Sequence, residues 1–153
     1  MNLQVRAHAY AEPIVAELVE EVQAEYVARY GDRDNSPVDP SDFVAPTGYF
    51  LIGWYDEDAA GSVALRAMAD RPGVVELKRL YVRDRYRRRG LGRELLRHAE
   101  RQARAAGYGR VVLETGIRQP EALALYPAEG YLPAPAFGHY ADAPESVYFG
   151  KDL

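Results

Sequence analysis

Residues Glu76 to Gly92 constrain this chain most: Glu-Leu-Lys-Arg-Leu-Tyr-Val-Arg-Asp-Arg-Tyr-Arg-Arg-Arg-Gly-Leu-Gly. The stretch starts as a strand and passes through a loop carrying Arg83, Arg85, Arg87, Arg88 and Arg89. It then reaches Gly90 and Gly92, where a helix opens with Arg93-Glu94-Leu95-Leu96. A strand, a glycine turn and a helix N-terminus in that order gather unpaired main-chain N–H groups at the positive end of a helix dipole. Such a point suits an anion like pyrophosphate, which Gly90 and Gly92 would let the main chain approach closely. The flanking guanidiniums add charge-assisted donors. A nucleoside-triphosphate loop would need Gly-Lys-Ser/Thr, and a dinucleotide fingerprint would need glycine where Leu95 stands.

The region before this stretch predicts an antiparallel meander. Tyr49–Tyr55 is a run of strand formers, Asp56–Gly61 reads as a turn, and Ser62–Met68 as the next strand. Arg71-Pro72-Gly73 turns the chain into a third strand, Val74–Val82. Leu77 and Leu80 lie three apart on it, so a regular strand would send them to opposite faces; a bulge between them lets both face the core.

Elsewhere, Leu3, Val5 and Ala7 alternate as a short first strand. Pro13 opens a helix with Ile14, Val15, Leu18, Val19, Val22 and Tyr26 on one face, and Gly31 ends it. Asp32–Pro46 is a polar, Pro-rich loop with room for a short helical turn. After the glycine turn, Leu91, Leu95, Leu96, Ala99 and Ala103 form a second helical stripe that stops at Gly107. Arg110–Thr115 reads as a parallel strand, and Pro120 opens a short helix that Pro127 should kink or end. Tyr131–Tyr140 and Ser146–Lys151 read as the last strands, the former irregular or at an edge because of Pro133 and Pro135.

Arg87-x-x-Gly90-x-Gly92 after Leu80-Tyr81-Val82 resembles the acetyl-coenzyme A signature of the GNAT superfamily of N-acetyltransferases. Ala122–Tyr131, with Tyr126 on a helix that ends before Gly130-Tyr131, resembles that family's second recurring element. The resemblance implies an α/β (α+β) fold over residues 1–153 as a single domain. Its mixed sheet would have six or seven strands, an antiparallel meander followed by a splayed parallel pair, with about four helices. It implies acetyl-CoA as co-substrate, with Leu80, Tyr81 and Val82 bonding pantetheine through the main chain. Arg87, Arg88, Arg89, Gly90, Leu91, Gly92 and Arg93 would surround the phosphates. Gln119 stands where relatives often place Asn against the pantetheine or pyrophosphate.

The implied activity is transfer of acetyl to a primary amine of a small molecule or peptide, by direct attack. Glu76 occupies the position where many relatives carry a base, with Glu114 on the neighbouring strand as second candidate. Tyr126 matches the hydroxyl near the cofactor sulfur, and a main-chain N–H near Val82 would polarise the carbonyl. The Asp32–Pro46 loop and the region of His139 and Tyr140 would border the acceptor. A homodimer through the C-terminal strands is compatible with the resemblance.

Composition narrows the alternatives. With no cysteine, disulfides, thiolate metal sites and a Cys nucleophile are excluded, and three scattered histidines (His8, His98, His139) suggest no metal. No apolar run reaches the ~18–20 residues that span a bilayer, and the N-terminus lacks a signal-peptide core, so the cytoplasm is the expected location. Residues 1–75 carry 5 Lys/Arg against 13 Asp/Glu; residues 76–153 carry 14 against 10. An anionic cofactor suits the second half and a cationic acceptor the first. Two other classes remain: a non-catalytic acyl-CoA-binding or sensing module, and a nucleic-acid binder using the Arg run. Net charge −4 and the lack of aromatics interleaved with the arginines beyond Tyr86 disfavour the latter.

Overall fold

The structure is a computed structural model and describes residues 2–153. In chain order it has β1 (Leu3–Ala7), α1 (Pro13–Tyr30), β2 (Gly48–Tyr55), β3 (Asp58–Ala67), β4 (Val74–Val82) and α2 (Leu91–Ala105). Then follow β5 (Arg110–Gly116), α3 (Pro120–Ala128), β6 (Leu132–Pro133) and β7 (Ser146–Asp152). The seven strands form one sheet in the order β1-β2-β3-β4-β5-β7-β6, antiparallel except for β4 and β5. Two 3-10 turns, Pro40–Phe43 and Asp84–Tyr86, take the place of a fourth α-helix. Among the described residues no helix is long and apolar enough to cross a membrane.

The helical stripes explain the layering. Val15, Leu18 and Val22 of α1 pack on Phe50, Ile52, Ala64 and Tyr81, which cover one face of the sheet. Leu91, Leu95, Leu96 and Ala99 of α2 pack on Leu51, Val63, Leu65, Val75 and Leu77 on the other. Each buried aliphatic side chain contributes roughly 1.5–3 kcal/mol, so the two stripes fix the helices on opposite faces.

Strand β4 carries the bulge that its leucine spacing requires. Ser62 pairs with Tyr81 and Ala64 with Lys78, so Arg79 and Leu80 together oppose Val63. Arg79 takes a left-handed φ of 57°, and its carbonyl accepts the Ser62 hydroxyl at 2.9 Å. Leu77 and Leu80 consequently share the α2 face, while Arg79 and Tyr81 lie on the α1 side. The parallel ladder with β5 runs only from Val74–Arg110 to Leu77–Leu113. Beyond it the two strands separate.

Four sequence expectations change. The turn expected over Asp56–Gly61 is shorter, because Asp58, Ala59 and Gly61 already pair with β2. These small residues reflect crowding rather than a turn: a Cβ on Gly61 would meet the Tyr81 carbonyl oxygen, and Leu95 Cδ1 at 3.1 Å. Pro127 does not end α3; it sits in the last turn, which runs through Ala128. The strand expected over Tyr131–Tyr140 shrinks to Leu132–Pro133, since the prolines cannot donate to a ladder. The remainder crosses the sheet as a loop, with Phe137 packed on Tyr148. Finally, α-helices number three among the described residues rather than about four.

The crowding at Gly61 generates a test. Gly61→Ala should lower stability by about 1–3 kcal/mol, the usual cost of overpacking, or roughly 3–10 °C in Tm. A thermal melt within a degree of the parent would show that β3 and β4 are not in contact as described.

Candidate active site

Where β4 and β5 separate, a cavity of about 760 Å³ opens between them. Its walls are Lys78–Val82 on one strand and Glu114–Gly116 on the other, with the start of α2 below and α1 across the mouth. Strand alternation supplies free main-chain groups to it. The Arg83 N–H donates to the Ala60 carbonyl at 2.9 Å, so the N–H of Val82, one residue earlier, points to the opposite edge and into the gap.

At the entrance to α2, Arg88 (φ 64°) and Gly90 (φ 76°) turn the chain sharply. Gly90 is the N-cap and no side chain caps the helix. The Glu94 N–H is the first to bond back, to the Gly90 carbonyl at 3.1 Å. The N–H groups of Leu91, Gly92 and Arg93 thus lack helical acceptors at the positive end of the dipole. All three residues, with Gly90 and Arg88, line the cavity.

The five loop arginines divide into two groups. Arg83 bonds Glu17 and Glu21 of α1, each at 2.7 Å, and Arg85 bonds Asp58 at 2.6 Å. Arg87 lines the cavity, but its guanidinium bonds Glu25 and the Val82 carbonyl, so it clamps the loop to α1. Arg93 likewise lies on the wall with its guanidinium on Glu129 at 3.0 Å. Arg88 has no carboxylate partner among the described residues and faces the cavity. Arg89 does not line it and lies over the Tyr86 ring, 5.8 Å from its centroid. Gln119, expected to meet a ligand, lines the wall and donates to the Tyr30 hydroxyl at 3.3 Å.

Both candidate carboxylates line the gap, in different states. Glu76 is held by Arg66, whose Nε is 2.9 Å from Oε1, and Lys78 Nζ lies 3.9 Å from Oε2. Glu114 follows Leu113, the last residue of β5 paired with β4, and its carboxylate accepts one hydrogen bond, from Ser146 Oγ at 3.0 Å. Burial, reinforced by the charges of Asp34 and Glu76, pushes its carboxyl up to about 7. Tyr126 is also on the wall, nearly buried against Tyr131 and Phe149. Burial, then Tyr26 and Glu114, holds its hydroxyl well above the usual phenol range.

Sequence reasoning put Tyr140 and the Asp32–Pro46 loop at the acceptor border but missed the polar network that joins Asp34, Lys78, Arg79 and Tyr140 at this site. Arg79 Nη1 bonds Asp34 Oδ2 at 2.6 Å, and the Tyr140 hydroxyl donates to Asp34 Oδ1 at 2.9 Å. Burial works to raise the Asp34 carboxyl, but Lys78 and Arg79 outweigh it and hold it well below the usual carboxylate range. The signal in the sequence was Lys78-Arg79, two adjacent cations on a strand otherwise apolar but for Glu76.

Glu114 also leaves a mark on stability. Folded, it keeps its proton to about pH 7; its ordinary value is 4.5. The folded state therefore binds more protons between those values, and stability falls as pH rises through that window. Glu114→Gln removes the effect, so its Tm relative to the parent should be roughly 5 °C more favourable at pH 8 than at pH 4.5. An offset independent of pH would show that Glu114 titrates as an exposed carboxylate does.

Comparison with known proteins agrees with this arrangement. Residues 15–131 match the model of the acetyltransferase (GNAT) family. The chain is 30% identical over 152 residues to the IAA acetyltransferase of Azospirillum brasilense, covering 99% of each. A solved structure from Klebsiella pneumoniae, a candidate acyl-CoA N-acyltransferase, superposes with a TM-score of 0.81 at 29% identity, over 99% of this chain and 97% of that one. A GNAT family acetyltransferase of Elizabethkingia anophelis, solved with acetyl-CoA bound, shares the fold with a TM-score of 0.70 at 18% identity, over 99% of each chain. Matched by that family model over residues 15–131, the chain belongs to the acetyltransferase (GNAT) family.

Proposed function

We propose that residues 1–153 act as one domain that moves acetyl from acetyl-CoA to a primary amine of a small molecule or peptide, by direct attack. The observation that carries this reading is Glu114. It is a half-buried carboxyl pushed up to about 7, placed where β4 and β5 part and beside the main-chain edge of β4.

The co-substrate has a fitting surface. Free N–H groups at the start of α2, with Arg88, suit the pyrophosphate. The gap-facing edge of β4 from Leu80 to Val82, where the Val82 N–H is free of β3, suits the amides of pantetheine, and Gln119 lies within the same wall. Arg87 would contribute by fixing the loop. The Val82 N–H would donate to the thioester oxygen as it gains charge.

The amine must lose a proton. An alkylammonium titrates near ~10.4, so the neutral form costs roughly 4–5 kcal/mol at pH 7. A base with a value near the working pH recovers more of that cost than an ordinary carboxylate does. Glu114 meets this condition, whereas Glu76 would have to release Arg66 first. We therefore assign the base to Glu114 and give Glu76 the role of holding Arg66 and Lys78.

The function is tested by mixing the protein with acetyl-CoA and a panel of primary amines, reading thiol release and a gain of one acetyl group by mass spectrometry. Thiol release at the background rate with every amine would favour a binding module. With the amine so found, Glu114→Gln should lose most at pH 7 and less at pH 9, where more of the amine is already neutral. Glu76→Gln should give a smaller loss that does not vary with pH.

Tyr126 is proposed to bond the leaving sulfur. A phenol near ~10 is a weaker acid than a thiol near ~8.5, and burial raises Tyr126 further, so full proton transfer to a thiolate is uphill. Its contribution is then a hydrogen bond that strengthens as charge builds on sulfur. Tyr126→Phe should keep acetyl-CoA affinity within several-fold and lower turnover by roughly ten- to a thousand-fold. Parental turnover with chemistry limiting would reduce Tyr126 to packing.

A further inference from the structure

Asp34 joins three segments that are far apart in sequence. Its carboxylate takes Arg79 from the β4 bulge at 2.6 Å and the Tyr140 hydroxyl from the loop before β7 at 2.9 Å. Its main chain is fixed to Gln23 of α1 by two hydrogen bonds, Asp34 N–H to Gln23 Oε1 at 2.7 Å and Gln23 Nε2 to the Asp34 carbonyl at 3.2 Å. Oδ1 also accepts the Ser36 N–H at 3.0 Å, and the Asn35 N–H donates to the Tyr140 oxygen at 2.7 Å. Lys78 Nζ lies 3.5 Å from Oδ2.

Two of these partners have consequences beyond the network. Arg79 is a non-glycine residue in a left-handed conformation, which persists only where its surroundings hold it. The Asp34 ion pair and the Ser62 bond to the Arg79 carbonyl are what hold it. The bulge in turn sets which edge groups β4 offers to the gap. Tyr140, for its part, stands between the large cavity and a second one of about 270 Å³, lined by Asp42, Asp70, Phe137 and His139. Glu76, Lys78, Glu114 and Tyr140 line both cavities, and Tyr140 alone among them comes from a loop.

We propose that Asp34 is a positioning residue that couples the cofactor edge of β4, through Arg79, to the acceptor side of the partition, through Tyr140. It rests on the acetyltransferase reading for the meaning of the two sides. Filling the β4 edge fixes the bulge, the bulge fixes Asp34, and Asp34 holds Tyr140 in the wall that the amine must pass. Linkage requires the reverse as well: an acceptor that orders Tyr140 tightens the cofactor edge.

Coenzyme A alone tests the coupling. Hydrogen exchange is followed over residues 136–141 with and without saturating coenzyme A, with calorimetry to establish binding. In the parent, coenzyme A should slow exchange in this loop by about threefold or more. Tyr140→Phe, which removes one hydroxyl and keeps the ring, should still bind coenzyme A but lose most of that protection. Asp34→Asn should also lose it and bind coenzyme A about fivefold or more weakly, because the bulge is no longer held. Where Asp34→Asn does not fold, Tyr140→Phe decides alone. Loop protection that persists in Tyr140→Phe, or none in the parent despite binding, overturns the proposal while leaving the acetyltransferase reading intact. No binding of coenzyme A to the parent overturns both.

Discussion

The extra residue in β4 is the constraint on which the rest depends. A side-chain period of two would send Leu77 and Leu80 to opposite faces and drive either an aliphatic side chain toward α1 or a charge under α2. Inserting Arg79 in a left-handed conformation resolves this and puts both leucines under α2. Below the bulge, Leu77 still pairs with Leu113; above it, β4 no longer runs beside β5. The gap is therefore a consequence of packing: the hydrophobic demand of the α2 face bends the strand, and the bend exposes main-chain groups that a ligand can satisfy. Left-handed strain at Arg79 costs on the order of 1–3 kcal/mol, and the buried ion pair to Asp34 opposes it.

The opposite charge of the two halves of the chain looks at first like a map of its ligands. Much of it is spent within the fold. Arg83 meets Glu17 and Glu21, Arg87 meets Glu25 and Arg85 meets Asp58. The acidic face of α1 lies against the basic loop that follows β4. Exposed pairs of this kind contribute little individually, about 0–1 kcal/mol each, but they set the distance between helix and loop across the cavity mouth. What remains for an anion is Arg88 and the helix N-terminus, a smaller provision than five arginines suggest.

These two facts explain what could be read in advance. Periodicity reports which way a side chain faces, so the stripes of α1 and α2 and the anomaly at Leu77 and Leu80 were all legible. Gly90 was legible because a glycine before a helix start has few other uses, and its φ of 76° is one that larger residues adopt poorly. Periodicity says nothing of which carboxylate a guanidinium will find. Glu25 lies 62 residues before Arg87, and Asp34 lies 45 before Arg79, and no local pattern connects them. The run Ala59-Ala60-Gly61 misled because small residues serve turns and crowded strands alike. The Pro-rich segment before β7 misled in the other direction, since its aromatics look like strand formers while its prolines forbid a ladder.

The same limit bears on the choice between Glu76 and Glu114, which stand two positions out of step on neighbouring strands: Glu76 pairs with Val112, and Glu114 with Tyr148 on the far side of β5. Their side chains share the α1 side of the sheet and line both cavities. Sequence position favours Glu76, because resemblance transfers roles by alignment. Environment separates them by what each carboxylate can give up. Arg66 and Lys78 supply Glu76 with cationic partners, so its oxygens are already engaged within the sheet. Glu114 has a serine hydroxyl and no ion pair of its own, so binding a proton relieves the cost of a partly buried charge. Glu76 adds to that cost through its own charge and thereby helps to raise its neighbour. On this view the two carboxylates are not rivals for one role: Glu76 holds Arg66 and Lys78 in the sheet, and its nearness adds to the burial that raises the Glu114 carboxyl.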